Sequence, residues 1–145
     1  MLEMLVVFVV FGAVMMISVR NVGDTLRRDR VAKVAAIVGT DVEQAFSIAA
    51  RQRLPVRILI DRADKKLTIV DRNEPTLIYK TRSFARTGEY AVDSLRSNRD
   101  TIDIMPNGLA TDTMNLSLII LSRGGTPYAK SVRASIGGLV RVNNR

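Results

Sequence analysis

The chain has 145 residues and a formal net charge of +8, with 22 Lys and Arg residues against 14 Asp and Glu residues. It contains no Cys and no His, which excludes disulfides, thiolate or His-ligated zinc sites, and catalytic arrangements of the Ser-His-Asp or Cys-His kind. The Gly-rich loops that cradle nucleotide phosphates are also absent from the sequence. The sequence therefore predicts a protein that is not an enzyme and that holds no cofactor or metal.

The chain opens with an apolar segment, residues 1–19, in which Glu3 is the only charged residue. The segment is close to the ~20 apolar residues that cross a bilayer as a helix. It has neither the basic start nor the cleavage site of a secretory signal, so we expect a retained membrane-spanning segment. Glu3 leaves two interpretations open. A carboxylate at membrane depth needs a cationic partner and indicates a functional site, whereas a carboxylate at the interface is simply hydrated.

Residues 20–53 continue in residues that favour helix, and Pro55 is the first strong helix breaker. Apolar side chains recur here at spacings of three and four, which predicts an amphipathic helix with one apolar stripe. The stripe comprises Val31, Val34, Ala35, Val38, Val42, Ala45, Phe46 and Ala49. The polar residues that lie largely off this stripe are Arg30, Lys33, Asp41, Gln44, Ser47 and Arg51. Both halves together predict one helix of about 75–80 Å at 1.5 Å per residue.

Beyond Pro55 the pattern changes to the alternation typical of antiparallel strands. The predicted strands are residues 56–61, 66–71, 76–82, 101–105, 114–122, 128–135 and 139–142, with 114–122 in a central position. Residues 83–100 are predicted to be a long loop with a short strand or turn at 90–92, and residues 123–127 a turn. Asp61 and Asp64 flank a hairpin turn. Hydrogen bonding to the backbone of the turn explains these two acids better than a calcium-binding site does. Asp100 and Asp103 alternate with apolar residues, which favours a solvated face over acid–base chemistry.

The predicted fold class is α+β, with a long N-terminal helix packed on an antiparallel β-sheet. The apolar face of the sheet and the apolar stripe of the helix each need a partner, and docking one on the other satisfies both. The chain then divides into a membrane-spanning half of the helix (1–19), an amphipathic half (20–53) and a β domain (54–145).

The opening residues also resemble a known family. Residues 2–14, L-E-M-L-V-V-F-V-V-F-G-A-V, resemble the start of mature type IV pilins and type II secretion pseudopilins, and Glu3 falls on the glutamate of that family. Residues 105–108, M-P-N-G, and 135–142, S-I-G-G-L-V-R-V, resemble a strand-and-turn motif and the closing strand of the GspH/FimT minor pseudopilins.

The resemblance implies a pilin-like fold and a structural subunit of a type II secretion pseudopilus or a type IV pilus. It also implies an anchor in the bacterial inner membrane, a periplasmic C-terminal domain and other pilins or pseudopilins as partners. In the family the glutamate is thought to pair with the N-terminal amine of a neighbouring subunit. The residues to which this implies an assembly role are Glu3, Leu2, Leu5, Val6, Val9 and Val10.

Two features depart from the family. The basic leader and its cleavage site do not precede Met1. This leaves two interpretations, a translation start further upstream or a divergent or non-functional copy of the family. The short uncharged stretch 4–19 favours the upstream start, which would make the prepilin peptidase a partner. The second departure is a basic cluster after the apolar segment, which by the positive-inside tendency favours the cytoplasm. The cluster consists of Arg20, Arg27, Arg28, Arg30 and Lys33.

The C-terminal residues 113–145 contain cations but no acid. This pattern is typical of a solvated basic surface, and it also suits a surface that attracts phosphates. Some FimT-like minor pilins are thought to bind DNA through a C-terminal G-R-x-R, where this chain has G-L-V-R at 138–141. DNA is therefore a second candidate partner, through Arg133, Arg141 and Arg145.

Overall fold

The computed structural model describes residues 2–85, 90–121 and 127–144, without the side chains of residues 2, 5, 17–21 and 144. A single helix, α1 (Leu2–Gln52), covers both predicted helical halves. It ends where Arg53 takes a left-handed backbone conformation (φ 55°), two residues before Pro55, as is common at helix C-termini. Among the described residues, no helix is long and apolar enough to cross a membrane. The assignment of residues 1–19 to the membrane stays a prediction.

Among the described residues, the β domain contains eight strands in two antiparallel sheets, whereas the sequence predicts one sheet. The strands are β1 (Val56–Asp61), β2 (Lys66–Asp71), β3 (Ile78–Ser83), β4 (Ser94–Ser97), β5 (Thr101–Ile104), β6 (Met114–Leu121), β7 (Pro127–Ala134) and β8 (Val140–Asn144). The first sheet has the order β3-β2-β1-β5 and the second the order β4-β6-β7-β8. The central position predicted for residues 114–122 is confirmed, because β6 lies between β4 and β7.

The region 83–100 differs from the prediction. It contains β4, which pairs with β6, whereas Tyr90 lies in a turn and residues 91–92 are not in a strand. The strand was missed because its sequence, S-L-R-S, has a single apolar residue, Leu95, and so no alternation to detect. Residues 86–89 of the predicted loop and 123–126 of the predicted turn lie outside the described residues.

The hydrophobic core lies between α1 and the two sheets. The predicted stripe is confirmed, since seven of its members are at most 1% exposed and Phe46 packs against the same core. The helix contacts strands of both sheets, namely β1, β5, β6, β7 and β8. The buried stripe therefore packs on both sheets and completes one core.

Asp103 does not lie on a solvated face, and this expectation was wrong. Its carboxylate accepts two hydrogen bonds from Arg57, at 2.6 and 3.0 Å, and lies 3.1 Å from the Arg72 guanidinium. Its side chain is only 15% exposed. Asp100 is exposed and pairs with Arg62, and Asp61 accepts backbone hydrogen bonds within its turn as predicted.

The Asp103 pair makes stability depend on pH. Hydrogen bonding from Arg57, with the charges of Arg57 and Arg72, lowers the pKa of Asp103 although burial opposes the shift. In the unfolded chain an Asp carboxylate has a pKa of about 3.9. As the pH falls, the Asp103 carboxylate is therefore protonated in the unfolded chain before it is protonated in the folded one. We therefore expect the free energy of unfolding to decline from about pH 5 towards pH 3, and the decline to be shallower in Asp103→Asn. Urea denaturation at each pH measures both slopes, and equal slopes would contradict the assignment.

Candidate assembly surface

The N-terminal half of α1 exposes apolar side chains around its whole circumference. Described side chains from residue 3 to residue 16 are all exposed, and Phe8 reaches 73%. Burial begins at Val31, which is 1% exposed. The exposed large apolar side chains before it are Met4, Val6, Val7, Phe8, Val9, Val10, Phe11, Val14, Met15, Met16, Val22 and Leu26.

The predicted assembly residues lie in this exposed half. Val6, Val9 and Val10 are 54–63% exposed, and their spacing of three and four places them on one side of the helix. Glu3 is exposed and forms no salt bridge with any residue that the structure describes. The side chains of Leu2 and Leu5 lie outside the described part.

At the boundary of the exposed half, α1 meets the second sheet. The Arg28 guanidinium lies over the Tyr128 ring of β7, 4.8 Å from its centroid, and Arg27 pairs with Asp24 one turn earlier on the helix. Further along, Gly39 is buried, and a Cβ there would lie 3.5 Å from Val140 of β8. That distance is ordinary van der Waals contact, so the helix packs against β8 at this point.

Asp41 forms a buried ionic anchor between the helix and the first sheet. Its side chain is 2% exposed, its Oδ1 lies 2.7 Å from Lys80 Nζ and 3.1 Å from Arg82 Nη2, and its Oδ2 accepts from Arg82 Nε. Lys80 also donates to Gln44 on the next turn of α1, at 2.8 Å. The bond to Asp41 raises the pKa of Arg82, and burial opposes that shift. Both cations come from β3, so the anchor fixes α1 against one edge of that sheet.

The prediction that Asp41 lies off the apolar stripe is wrong, because its side chain is buried. It follows Val34 by seven residues and Val38 by three, and those spacings place it on the buried stripe. The signal was therefore present in the sequence. What the sequence did not indicate was the source of the cations, because Arg82 is 41 residues away.

Arg133 and Arg141 face each other across β7 and β8 as direct cross-strand partners. Both are exposed, and neither forms a salt bridge with an acid in the described part of the chain. Like charges in this position repel each other. The two arginines line a surface groove of about 570 Å³ together with Asn98, Asn115 and Leu139. Arg145, the third predicted member, lies outside the described residues.

No protein-family model and no curated protein sequence matches this chain. Its structure is similar to the type IV minor pilin FimU of Pseudomonas aeruginosa, with a TM-score of 0.62 and 14% identity over 81% of this chain and 90% of that one. A second crystal form of FimU gives a TM-score of 0.58 and 13% identity, covering 77% and 91% of the respective chains.

The minor pseudopilin EpsH from the type 2 secretion system of Vibrio cholerae is also similar. Its TM-score is 0.56 at 15% identity, covering 79% of this chain and 97% of that one. At such identities the likeness shows the fold. The predicted pilin-like fold, a long N-terminal helix packed on antiparallel sheet, is therefore confirmed.

The anchor at Asp41 should contribute strongly to stability. In Asp41→Asn, Lys80 and Arg82 lose their counter-charge in a partly buried position, and we expect the free energy of unfolding to fall by about 2–3 kcal/mol. Asp24→Asn is the matched control, because it removes a partly exposed pair with Arg27 and should cost less than about 1 kcal/mol. Urea unfolding followed by circular dichroism measures both, and similar losses in the two variants would contradict the anchor.

Proposed function

We propose that this chain is a minor pilin or pseudopilin, a non-enzymatic structural subunit that assembles through the N-terminal half of α1. The observation that carries the proposal is the change in burial along one helix. Residues 3–16 expose apolar side chains on every side, whereas the helix from Val31 onward is docked in the domain. An apolar surface of this extent is typical of a protein or membrane interface. The similarity to FimU and EpsH supports a pilus or pseudopilus as its setting.

In this proposal the apolar half has two successive environments. Before assembly it anchors the chain in the bacterial inner membrane, with residues 54–145 in the periplasm and a leader removed by the prepilin peptidase. After assembly it packs against the same segment of neighbouring pilins. Both environments remove the apolar side chains from water, so transfer between them exposes little apolar surface.

Glu3 would determine how the subunits align. A carboxylate inside an apolar bundle is strongly unfavourable unless a cation neutralises it. Helices lined only by valine, phenylalanine and methionine could slide along one another with little change in packing. A single charge removes that freedom, because only one stagger brings it to its partner.

Glu3→Ala should abolish incorporation into the filament and leave the domain folded. The substitution removes the charge that sets the stagger, and it lies far from the core along α1. Filaments are sheared from cells and the subunit is detected by immunoblotting, with circular dichroism of the purified variant as the measure of folding.

Asp64→Ala is the matched control for Glu3→Ala, because Asp64 is an exposed acid in the turn between β1 and β2. It should be incorporated like the unmodified chain. Full incorporation of Glu3→Ala would refute the assembly role of Glu3.

DNA binding is the second candidate function, as a FimT-like minor pilin that takes part in DNA uptake. It is favoured by the juxtaposition of Arg133 and Arg141, whose mutual repulsion a phosphate backbone would relieve. Arg145 lies three residues after Val142, the last residue of the segment that resembles the closing strand of the family. Base readout is not needed for such a surface, since phosphate contacts alone supply non-specific affinity.

If the arginines bind DNA, the affinity should depend steeply on salt. We expect Arg133→Ala with Arg141→Ala to weaken binding of a labelled duplex and to reduce the slope of log K against log salt by about 2. Arg51→Ala with Lys66→Ala removes two exposed cations elsewhere and should leave more of the binding intact. Fluorescence anisotropy of the full chain measures these constants, and no binding of the unmodified chain at low salt would exclude this function.

A further inference from the structure

A second surface feature lies at the boundary between the exposed and docked parts of α1. It is a groove of about 550 Å³ between the helix and Tyr90, which we call the Tyr90 groove. Its apolar lining includes Val34 and Ile37. Leu26, the lining residue nearest the N-terminus of α1, is 61% exposed. Arg30 and Lys33 line the same groove. An apolar groove edged by charge is typical of surfaces that receive a helix.

The charges of the groove leave a positive excess. Asp29 lies in the lining with the two cations, so one positive charge is unbalanced there. Neither Arg30 nor Lys33 forms a salt bridge with an acid among the residues that the structure describes. An occupant of the groove should therefore combine an apolar surface with one negative charge.

The N-terminal segment of the chain itself has this combination. From Glu3 to Phe11 it is a helix with exposed apolar side chains and one carboxylate at its leading end. It cannot reach the groove of its own molecule, because both belong to the same continuous helix. A second copy of the chain can place its own N-terminal segment in the groove.

The lengths agree with a staggered parallel arrangement. Arg30 and Lys33 follow Glu3 by 27 and 30 residues, which is about 40–45 Å along a helix. A second copy advanced by that distance brings its Glu3 beside the two cations. Its Val7 and Val10 then lie at the level of Val34 and Ile37.

We infer that the Tyr90 groove receives residues 3–11 of a second copy of this chain, with Glu3 placed between Arg30 and Lys33. The inference rests on the proposed function and deepens it, because it supplies a side-chain counter-charge for Glu3 and a definite stagger. The groove on the other side of the helix fits this occupant less well. Of its two cations, Arg28 already lies over the Tyr128 ring, and Asp29 in the same lining balances the charge of the other, Lys130.

Disulfide trapping tests the contact directly, since the chain has no cysteine of its own. Two full-length forms with tags of different size are mixed in detergent, one carrying Val7→Cys and the other Ile37→Cys, and are then oxidised. We expect a disulfide-linked heterodimer on a denaturing gel. Leu59→Cys replaces Ile37→Cys in the control pair, because Leu59 is exposed on β1 away from the groove, and it should give no comparable product.

Charge exchange tests the role of Glu3 in the same assay. Lys33→Glu in the Ile37→Cys chain should lower the heterodimer yield by about tenfold. Glu3→Lys in the Val7→Cys chain should then restore most of it, whereas Lys66→Glu should have no effect. A yield that is insensitive to Lys33→Glu would overturn the placement of Glu3.

Sedimentation of the unmodified chain separates this inference from the function on which it rests. Oligomers without a Val7–Ile37 disulfide would contradict the proposed occupant of the Tyr90 groove, while assembly through the helix would still hold. A chain that remains monomeric at all concentrations, with no disulfide, would remove both the groove and self-assembly through α1.

Discussion

Neither sheet can bury its inner face without α1, and this dependence governs the architecture. Sheets of four strands have too few side chains on one face to close a core alone, so the stripe from Val31 to Ala49 completes both. Because a helix needs to be buried on only one side, the remaining sides of the same segment stay available to water or to neighbours. Among the described residues no strand packs against the first half of the helix, and its apolar side chains are therefore exposed. One element thus belongs to the domain at one end and is open to other molecules at the other.

Charge adds specificity to this apolar contact. A stripe of valine and alanine packs at several rotations and offsets with similar energy, whereas the carboxylate of Asp41 is satisfied only where β3 brings Lys80 and Arg82 to it. Asp103 has the corresponding role between β1 and the residue that follows β2, through Arg57 and Arg72. In each case an acid within an apolar pattern pairs with cations from a distant part of the chain.

The sequence predicts this fold where the information is local. The bounds of β1 and β2 agree with the alternation, and the helix ends near the breaker Pro55. The prediction fails where a residue depends on a distant partner. Asp103 was predicted to be solvated and Asp41 to lie off the apolar stripe, whereas both pair with arginines that lie 46 and 41 residues away along the chain. The Tyr90 groove is not predictable for the same reason, since it brings Tyr90 beside helix residues that are far from it along the chain.

The continuity of α1 also has a mechanical consequence. In a filament built on its N-terminal half, tension runs along the helix axis and enters the domain parallel to the docked face. Such a load acts in shear on the whole row of contacts at once, rather than peeling them apart in sequence. Asp41 lies midway along that row, so an axial pull would have to draw its carboxylate past two cations before the helix could slip. The domain would therefore resist a pull along the fibre more strongly than a sideways force on the same helix.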